Sequence, residues 1–231
     1  MLMHFFDPLY LLFALPALAL SLWASWRTKS AFKKYSRVRT ARGLTGAQAA
    51  QEMLRAGGIY DVQVVPTHGF LPDHYNPVNK TLALSEATYA SNSVAAVGVA
   101  CHEAGHALQH AQGYKALGLR SALVPTANFG STMSYFVIMG GLLFHSANLI
   151  YTGALLISAV LLFQLVTLPV EFDATARAKR LAVETGIVLP QEREGMDRVL
   201  NAAAMTYVAA VVSTLVTLLY YLLRASSMSR R

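Results

Sequence analysis

Two histidines and a glutamate between residues 102 and 106 have the spacing best suited to chemistry in this 231-residue chain. His102 and His106 are four residues apart, so on an α-helix they lie on one face, one turn above each other. Their imidazole nitrogens can then bind one zinc ion at about 2.0–2.1 Å. Glu103 is rotated by about 100° from His102, where a general base can take a proton from a water that the metal activates. The spacing predicts a metal-assisted hydrolase.

The same pentapeptide also arises by chance on solvated helices, so its surroundings matter. The preceding residues "VAAVGVA" are small and apolar, a helix is predicted from Ser93 to Gln112, and a strand-like segment comes just before it. These features favour a metal site. Cys101 adjoins the first histidine, and we interpret it as a small buried thiol rather than a ligand or an inhibitory switch.

A third protein ligand must come from elsewhere in the chain. The position six residues after His106 is Gln112, and His110 lies about 12 Å from His102 along the helix axis, too far to share its ion. Glu171 is the leading candidate, because it is the first charge after a long uncharged stretch and opens a predicted helix. The alternative is a first-turn glutamate favoured by the helix dipole. Asp173 is the next candidate.

Composition and hydropathy indicate a membrane protein. Hydrophobic residues make up 55% of the chain and charged residues 13%, against roughly 25% charged in soluble domains. Residues 8–26 are uncharged, about the length of one span. Within the uncharged stretch 121–170, roughly forty residues would form a helix of about 60 Å, twice a hydrocarbon core. Two spans folded at His145–Asn148 fit this length, and 199–223 supplies a fourth.

The positive charges predict the orientation. Seven of the nineteen Lys and Arg residues lie between Arg27 and Arg42, with no acidic residue among them. Such a block beside a span is typical of a cytoplasmic segment on anionic lipid headgroups, here residues 27–42, and no nucleic acid partner is expected. Asp7 precedes the first apolar run, which disfavours a cleaved signal peptide. We expect a multi-pass protein of the bacterial inner membrane with its active site on the cytoplasmic side.

The predicted fold class is mainly α: a polytopic membrane protein with about four transmembrane helices and a small zincin-like α+β cytoplasmic lobe. That lobe carries the motif helix and a two-strand edge, "DVQVVP" and "KTLALS", with a loop between them. A short helix, Thr45–Ala56, has a capping box from Thr45 to Gln48. The predicted organisation is a transmembrane anchor (1–26), the cytoplasmic lobe (27–128), a transmembrane hairpin (129–170), a cytoplasmic helix with the third ligand (171–198), and a final transmembrane helix with the tail (199–231).

Three segments together resemble the YugP-like family of bacterial membrane neutral zinc metallopeptidases: "CHEAGHALQH", "LPDHYNP…LALS" and "PVEFDATARAKRL" after a hydrophobic hairpin. The resemblance covers nearly the whole chain, and the HtpX-type gluzincin membrane proteases are more distantly similar. It implies His102, His106 and Glu171 as ligands of one Zn²⁺ ion, with Glu103 as the base. The distant relatives carry an aspartate four residues after the ligand glutamate, whereas this chain has Thr175, which brings no negative charge.

The resemblance also implies that "TLALSE" is an edge strand on which an extended peptide lies by β-augmentation. The predicted substrate strand is Thr81, Leu82, Ala83, Leu84 and Ser85. Candidate donors to transition-state charge are Arg177, His74 and Tyr75.

These features predict a membrane-embedded zinc-dependent endopeptidase acting on a peptide or protein substrate. The alternative is a metal-stabilised membrane scaffold that recruits partners without proteolytic turnover. A divalent-metal transporter is disfavoured, because ionisable residues are too few within the predicted spans.

Overall fold

The computed structural model describes residues 8–67 and 73–230, and it is mainly helical. Asp7 and residues 68–72 of the predicted loop lie outside the described residues. In chain order the elements are α1 (Pro8–Tyr35), α2 (Gly46–Ala56), β1 (Gln63–Thr67), β2 (His74–Asn76), β3 (Thr81–Ser85), α3 (Glu86–Tyr89), α4 (Val94–Ala111), α5 (Lys115–Leu143), α6 (Ala147–Glu184) and α7 (Arg193–Ser229).

The chain divides into two compact units. One unit contains Ser25–Gly118 and Pro169–Met205, and we call it the lobe. The lobe includes α2, the three strands, α3, α4 and the second part of α6. Every candidate site residue named above therefore belongs to one compact body.

Three of the described helices are long and apolar enough to cross a membrane: α1, α6 and α7. Helix α5 is 29 residues long, but it is not among them, because Thr126, Asn128 and several serines lower its hydropathy. The four predicted spans are therefore not confirmed. The predicted hairpin turn is present between α5 and α6, where His145 has φ +52°.

The sheet has three strands, in the order β1-β3-β2. The two-strand prediction is wrong, because part of the predicted loop, His74–Asn76, pairs antiparallel with β3. Asn76 Oδ1 accepts a hydrogen bond from the Val78 amide at 2.9 Å, and Lys80 has φ +52°. This tight turn folds β2 back onto β3.

Strand β3 lies in the centre of the sheet. It pairs in parallel with β1 from Gln63↔Thr81 to Thr67↔Ser85 and antiparallel with β2 on its other side. The interpretation of Thr81–Ser85 as an edge strand is therefore wrong for Thr81–Ala83, which pairs with strands on both sides, and the Ser85 amide donates to Asp73 Oδ1. Leu82 and Leu84 are fully buried in the lobe core with Met53 and Val97, and burial of each leucine stabilises the lobe by about 1.5–3 kcal/mol.

The short helix α2 begins as the sequence predicts. Thr45 Oγ1 accepts from the Gln48 amide at 3.2 Å, and Gln48 Oε1 accepts from the Thr45 amide at 2.9 Å. Both hydrogen bonds of the capping box at the N-terminus of α2 are thus present. Gly46 lies so close to the Thr88 carbonyl that a Cβ would be 2.2 Å from its oxygen, so the first turn of α2 packs directly against α3.

Candidate metal centre

Helix α4 presents the two histidines. Its N-cap is Ser93, whose Oγ accepts from the Ala96 amide at 3.2 Å. The helix is almost entirely buried, and its small residues let neighbouring helices approach. The His102 and His106 rings lie edge to face, with centroids 4.9 Å apart. The sequence prediction that these two rings share one helix face therefore agrees with the structure.

A close approach of two helices brings Glu171 to these rings. At Gly105 of α4, a Cβ would lie 2.6 Å from the carbonyl oxygen of Ala174 in α6. Only glycine leaves space for that backbone. Three residues before Ala174, Glu171 is 2% exposed, and its Oε2 lies 3.2 Å from His102 Nε2 and 3.6 Å from His106 Nε2.

The donor set fits a zinc ion. Two imidazole nitrogens and one carboxylate oxygen all lie within 4.8 Å of one another. Ligands at about 2.0–2.2 Å in a tetrahedron are separated by about 3.3–3.6 Å. The separations of 3.2 and 3.6 Å between Glu171 Oε2 and the two Nε2 atoms are close to that edge length.

The remaining ring nitrogens also have partners. His102 Nδ1 is 3.2 Å from Thr175 Oγ1, so the residue that replaces the expected aspartate contacts the ring that the aspartate would orient. His106 Nδ1 is 2.9 Å from Gln109 Oε1. Sequence reasoning missed Gln109, although residues three apart on a helix are neighbours and this spacing could have identified it.

The electrostatic environment favours a cation. Burial raises the pKa of the Glu103 carboxyl, the nearby His102 and His106 oppose that rise, and the negative charges of Glu171 and Asp73 add to it. Burial lowers the pKa of His106, but the Glu171 carboxylate 3.6 Å away and the charge of Glu103 outweigh burial, so the pKa is raised. A field that favours a proton on His106 also favours a divalent metal ion.

Asp173 and Arg177 contact each other rather than the histidine cluster. Asp173 Oδ2 accepts from Arg177 Nε at 2.5 Å and from Gln109 Nε2 at 2.8 Å. The Arg177 guanidinium also donates to Gln112 Oε1 and lies over the Tyr114 ring, 5.7 Å from its centroid. Both of these candidates are thus engaged beside the cluster, with Gln109 between them and His106.

The other named residues lie around the sheet and α4. His74 and Tyr75 are in β2, and Tyr75 Oη is 2.8 Å from His110 Nδ1. Burial raises the pKa of the Tyr75 phenol, and the charge of Asp61 adds to that rise. His110 thus ties β2 to α4. Cys101 is fully buried, and burial raises the pKa of its thiol to about 12, as expected for an inert core cysteine.

Comparison with known proteins shows which family this chain belongs to. A family model described as "Putative neutral zinc metallopeptidase" matches residues 10–226. The chain belongs to this zinc metallopeptidase family. It is also 46% identical over 215 residues to a Bacillus subtilis (strain 168) protein named "Putative membrane protease YugP", covering 93% of this chain and 96% of the relative. No solved structure matches the chain.

Membership of the zinc metallopeptidase family implies a zinc ion, and the cluster of His102, His106 and Glu171 is compatible with one. Among the residues 8–67 and 73–230, this is the one group of three or more metal-binding side chains close enough to share an ion. The resemblance found in the sequence is confirmed by both comparisons.

Proposed function

We propose that this protein is a zinc-dependent endopeptidase of the bacterial inner membrane, with His102, His106 and Glu171 as ligands and Glu103 as general base. The observation that carries the proposal is the buried triad in which the Glu171 carboxylate lies within 3.6 Å of both Nε2 atoms. A fully buried carboxylate facing two imidazoles is costly unless a cation or proton compensates it.

When bound, zinc supplies Lewis acidity: it lowers the pKa of a water from about 15.7 to about 7 and polarises a carbonyl oxygen. Glu103 does the proton transfers. Its carboxylate accepts a proton from the attacking water and returns it to the amine that leaves when the peptide bond breaks. Proton transfer of this kind is general acid–base catalysis by a positioned carboxyl group. Thr175 and Gln109 hold the two rings.

We assign alignment of an extended substrate to the outer edge of β2, in place of Thr81–Ser85. Two contacts connect β2 to the motif helix and its base: Tyr75 of β2 contacts His110 on α4, and the charge of Asp73, which precedes β2, contributes to the raised pKa of Glu103. Main-chain pairing along His74–Asn76 would therefore bring a peptide past the base.

The proposed topology keeps four spans. Residues of α4 and of α6 after Pro169 pack in one lobe, so the intervening chain must leave the membrane on the side where it entered. The apolar part of α6 is one crossing, and α5, which is uncharged from Ser121 onward, is the other. The basic segment 27–42 then places the lobe on the cytoplasmic side against anionic lipid.

The proposal is tested with purified protein in detergent, loaded with zinc and mixed with a library of quenched-fluorescence peptides. Glu103→Gln is expected to retain stoichiometric zinc and lose cleavage by at least about 10³-fold. Glu184→Gln changes an acid whose side chain is 59% exposed, and this matched control should cleave like wild type. Cleavage by Glu103→Gln at the wild-type rate would refute the assignment. Full complementation of a deletion strain by the same variant would favour the scaffold alternative.

A further inference from the structure

We propose that Gln109 is a positioning residue for the metal centre: it fixes which nitrogen of His106 carries the proton and ties that ring to the helix of the third ligand. The inference rests on the proposed zinc site. Its starting observation is that Gln109 is 0% exposed and uses both ends of its amide. A fully buried amide in which each end has a partner specifies one arrangement of those partners.

The contacts of Gln109 determine the orientation of its amide. Nε2 lies 2.8 Å from the carbonyl oxygen of Val170 and 2.8 Å from Asp173 Oδ2. A carbonyl and a carboxylate only accept hydrogen bonds, so the amide nitrogen, with two N–H groups, must face them. The amide oxygen therefore faces His106 Nδ1, at 2.9 Å.

The orientation of the amide fixes the tautomer of the ring. An amide oxygen only accepts, so His106 Nδ1 must donate and carry the proton. The lone pair of the neutral ring is then on Nε2, which is the atom that lies 3.6 Å from Glu171 Oε2. Gln109 thus presets His106 as an Nε2 ligand before any metal arrives.

Gln109 also connects the second and third ligands. Val170 precedes Glu171, so a hydrogen bond to its carbonyl fixes the backbone next to the ligand carboxylate. Asp173, which is partly exposed, is held in turn by the Arg177 guanidinium, which offsets its negative charge behind the amide. This chain of contacts gives Asp173 and Arg177 a role, although neither touches the cluster.

The two histidines are held differently. Thr175 Oγ1 lies 3.2 Å from His102 Nδ1, but a hydroxyl rotates and can donate or accept, so it does not impose a tautomer. His102 is also more exposed, at 15% of its side chain against 7% for His106. Loss of Gln109 should therefore weaken the centre more than loss of the Thr175 hydroxyl.

The test uses full-length protein in detergent, with zinc affinity measured by chelator competition. Gln109→Met keeps the side-chain length and removes both ends of the amide, and we expect zinc to bind about 10–100-fold more weakly. In Gln109→Glu, one oxygen of the introduced carboxyl group can still accept from Nδ1, but the other faces the Val170 carbonyl and Asp173, which only accept, so the zinc affinity of this variant should lie between those of Gln109→Met and wild type. Gln51→Met, at an exposed glutamine of α2, is the matched control and should bind like wild type.

A spectroscopic measurement makes the test independent of any variant. In zinc-free wild-type protein at a pH where the ring is neutral, ¹H–¹⁵N spectra of the histidine side chains should show His106 protonated at Nδ1. A His106 ring protonated at Nε2, or wild-type zinc affinity in Gln109→Met, would overturn the proposed role of Gln109 without contradicting the zinc site. A wild-type protein that binds no zinc would instead overturn the proposed function.

Discussion

The contact between α4 and α6 at Gly105 supports a quantitative prediction. In Gly105→Ala the new Cβ would lie 2.6 Å from the Ala174 oxygen, whereas a carbon–oxygen contact is normally about 3.3 Å or longer. The two helices must then separate by about 0.7 Å, and Glu171 moves with α6. Metal–ligand distances tolerate only about 0.2 Å of change, so the centre cannot keep its geometry.

The expected cost follows from overpacking. Inserting one methyl group at a tight contact costs about 1–3 kcal/mol, which corresponds to roughly 5- to 150-fold in an equilibrium constant. We expect the zinc affinity of Gly105→Ala, measured by chelator competition, to decrease by a factor in that range. The helix content in far-UV circular dichroism should be the same as in wild type.

Gly118→Ala is the matched control. This glycine lies inside α5 and is exposed, and a methyl group added there would have no heavy atom within 4 Å apart from its chain neighbours and the backbone of its own helix. Alanine should therefore stabilise the helix by about 0.5–1 kcal/mol. The control should bind zinc like wild type. Wild-type affinity and thermal stability in Gly105→Ala would refute the argument that this close approach positions the third ligand.

Three further predictions concern the lobe. Thr175→Val removes the partner of His102 Nδ1 and should weaken zinc binding by a few-fold to about tenfold, and an unchanged dissociation constant would contradict its supporting role. Leu84→Ala empties a fully buried core position and should lower the free energy of unfolding by about 2–5 kcal/mol; a loss below about 1 kcal/mol in chemical denaturation would show that the core at β3 is loosely packed. Because the pKa of the Cys101 thiol is raised to about 12, its thiolate fraction at pH 8 is about 10⁻⁴. Iodoacetamide should therefore react with Cys101 only after unfolding, with the label detected by mass spectrometry, and rapid labelling of the native protein would contradict its burial.

The sequence is most informative where one short pattern determines local geometry. The spacing of His102 and His106 predicts a shared helix face, and Thr45 with Gln48 predicts the capping box that is observed. Glu171 is the first charge after an apolar hairpin, and its carboxylate lies beside both rings. These predictions follow from two rules: side chains three or four residues apart on a helix are neighbours, and charged residues are costly within a bilayer. The prediction that Glu171 opens a helix is wrong, because it lies within the continuous helix α6.

Features that depend on tertiary packing are not predictable in this way. The three-residue strand His74–Asn76 is too short to show alternation, so its pairing with β3 is apparent only once the turn is built. In the sequence Gly105 is only a small residue within the motif, whereas the structure shows the Ala174 backbone in the space it leaves. Gln109 belongs to no motif, and its importance comes from acceptors some sixty residues away in the chain, Val170 and Asp173.

In the proposed site, two imidazoles of α4 and a carboxylate of α6 hold zinc. X-ray absorption at the zinc edge, with metal analysis of the same samples, compares the purified wild-type protein with the Glu171→Ala variant. We expect one zinc per chain in the wild type, with a shell of nitrogen and oxygen only at about 2.0–2.2 Å, an imidazole signature from two rings, and loss of the metal in Glu171→Ala. A sulfur neighbour at about 2.3 Å, or full zinc occupancy with an unchanged shell in Glu171→Ala, would contradict the proposed site.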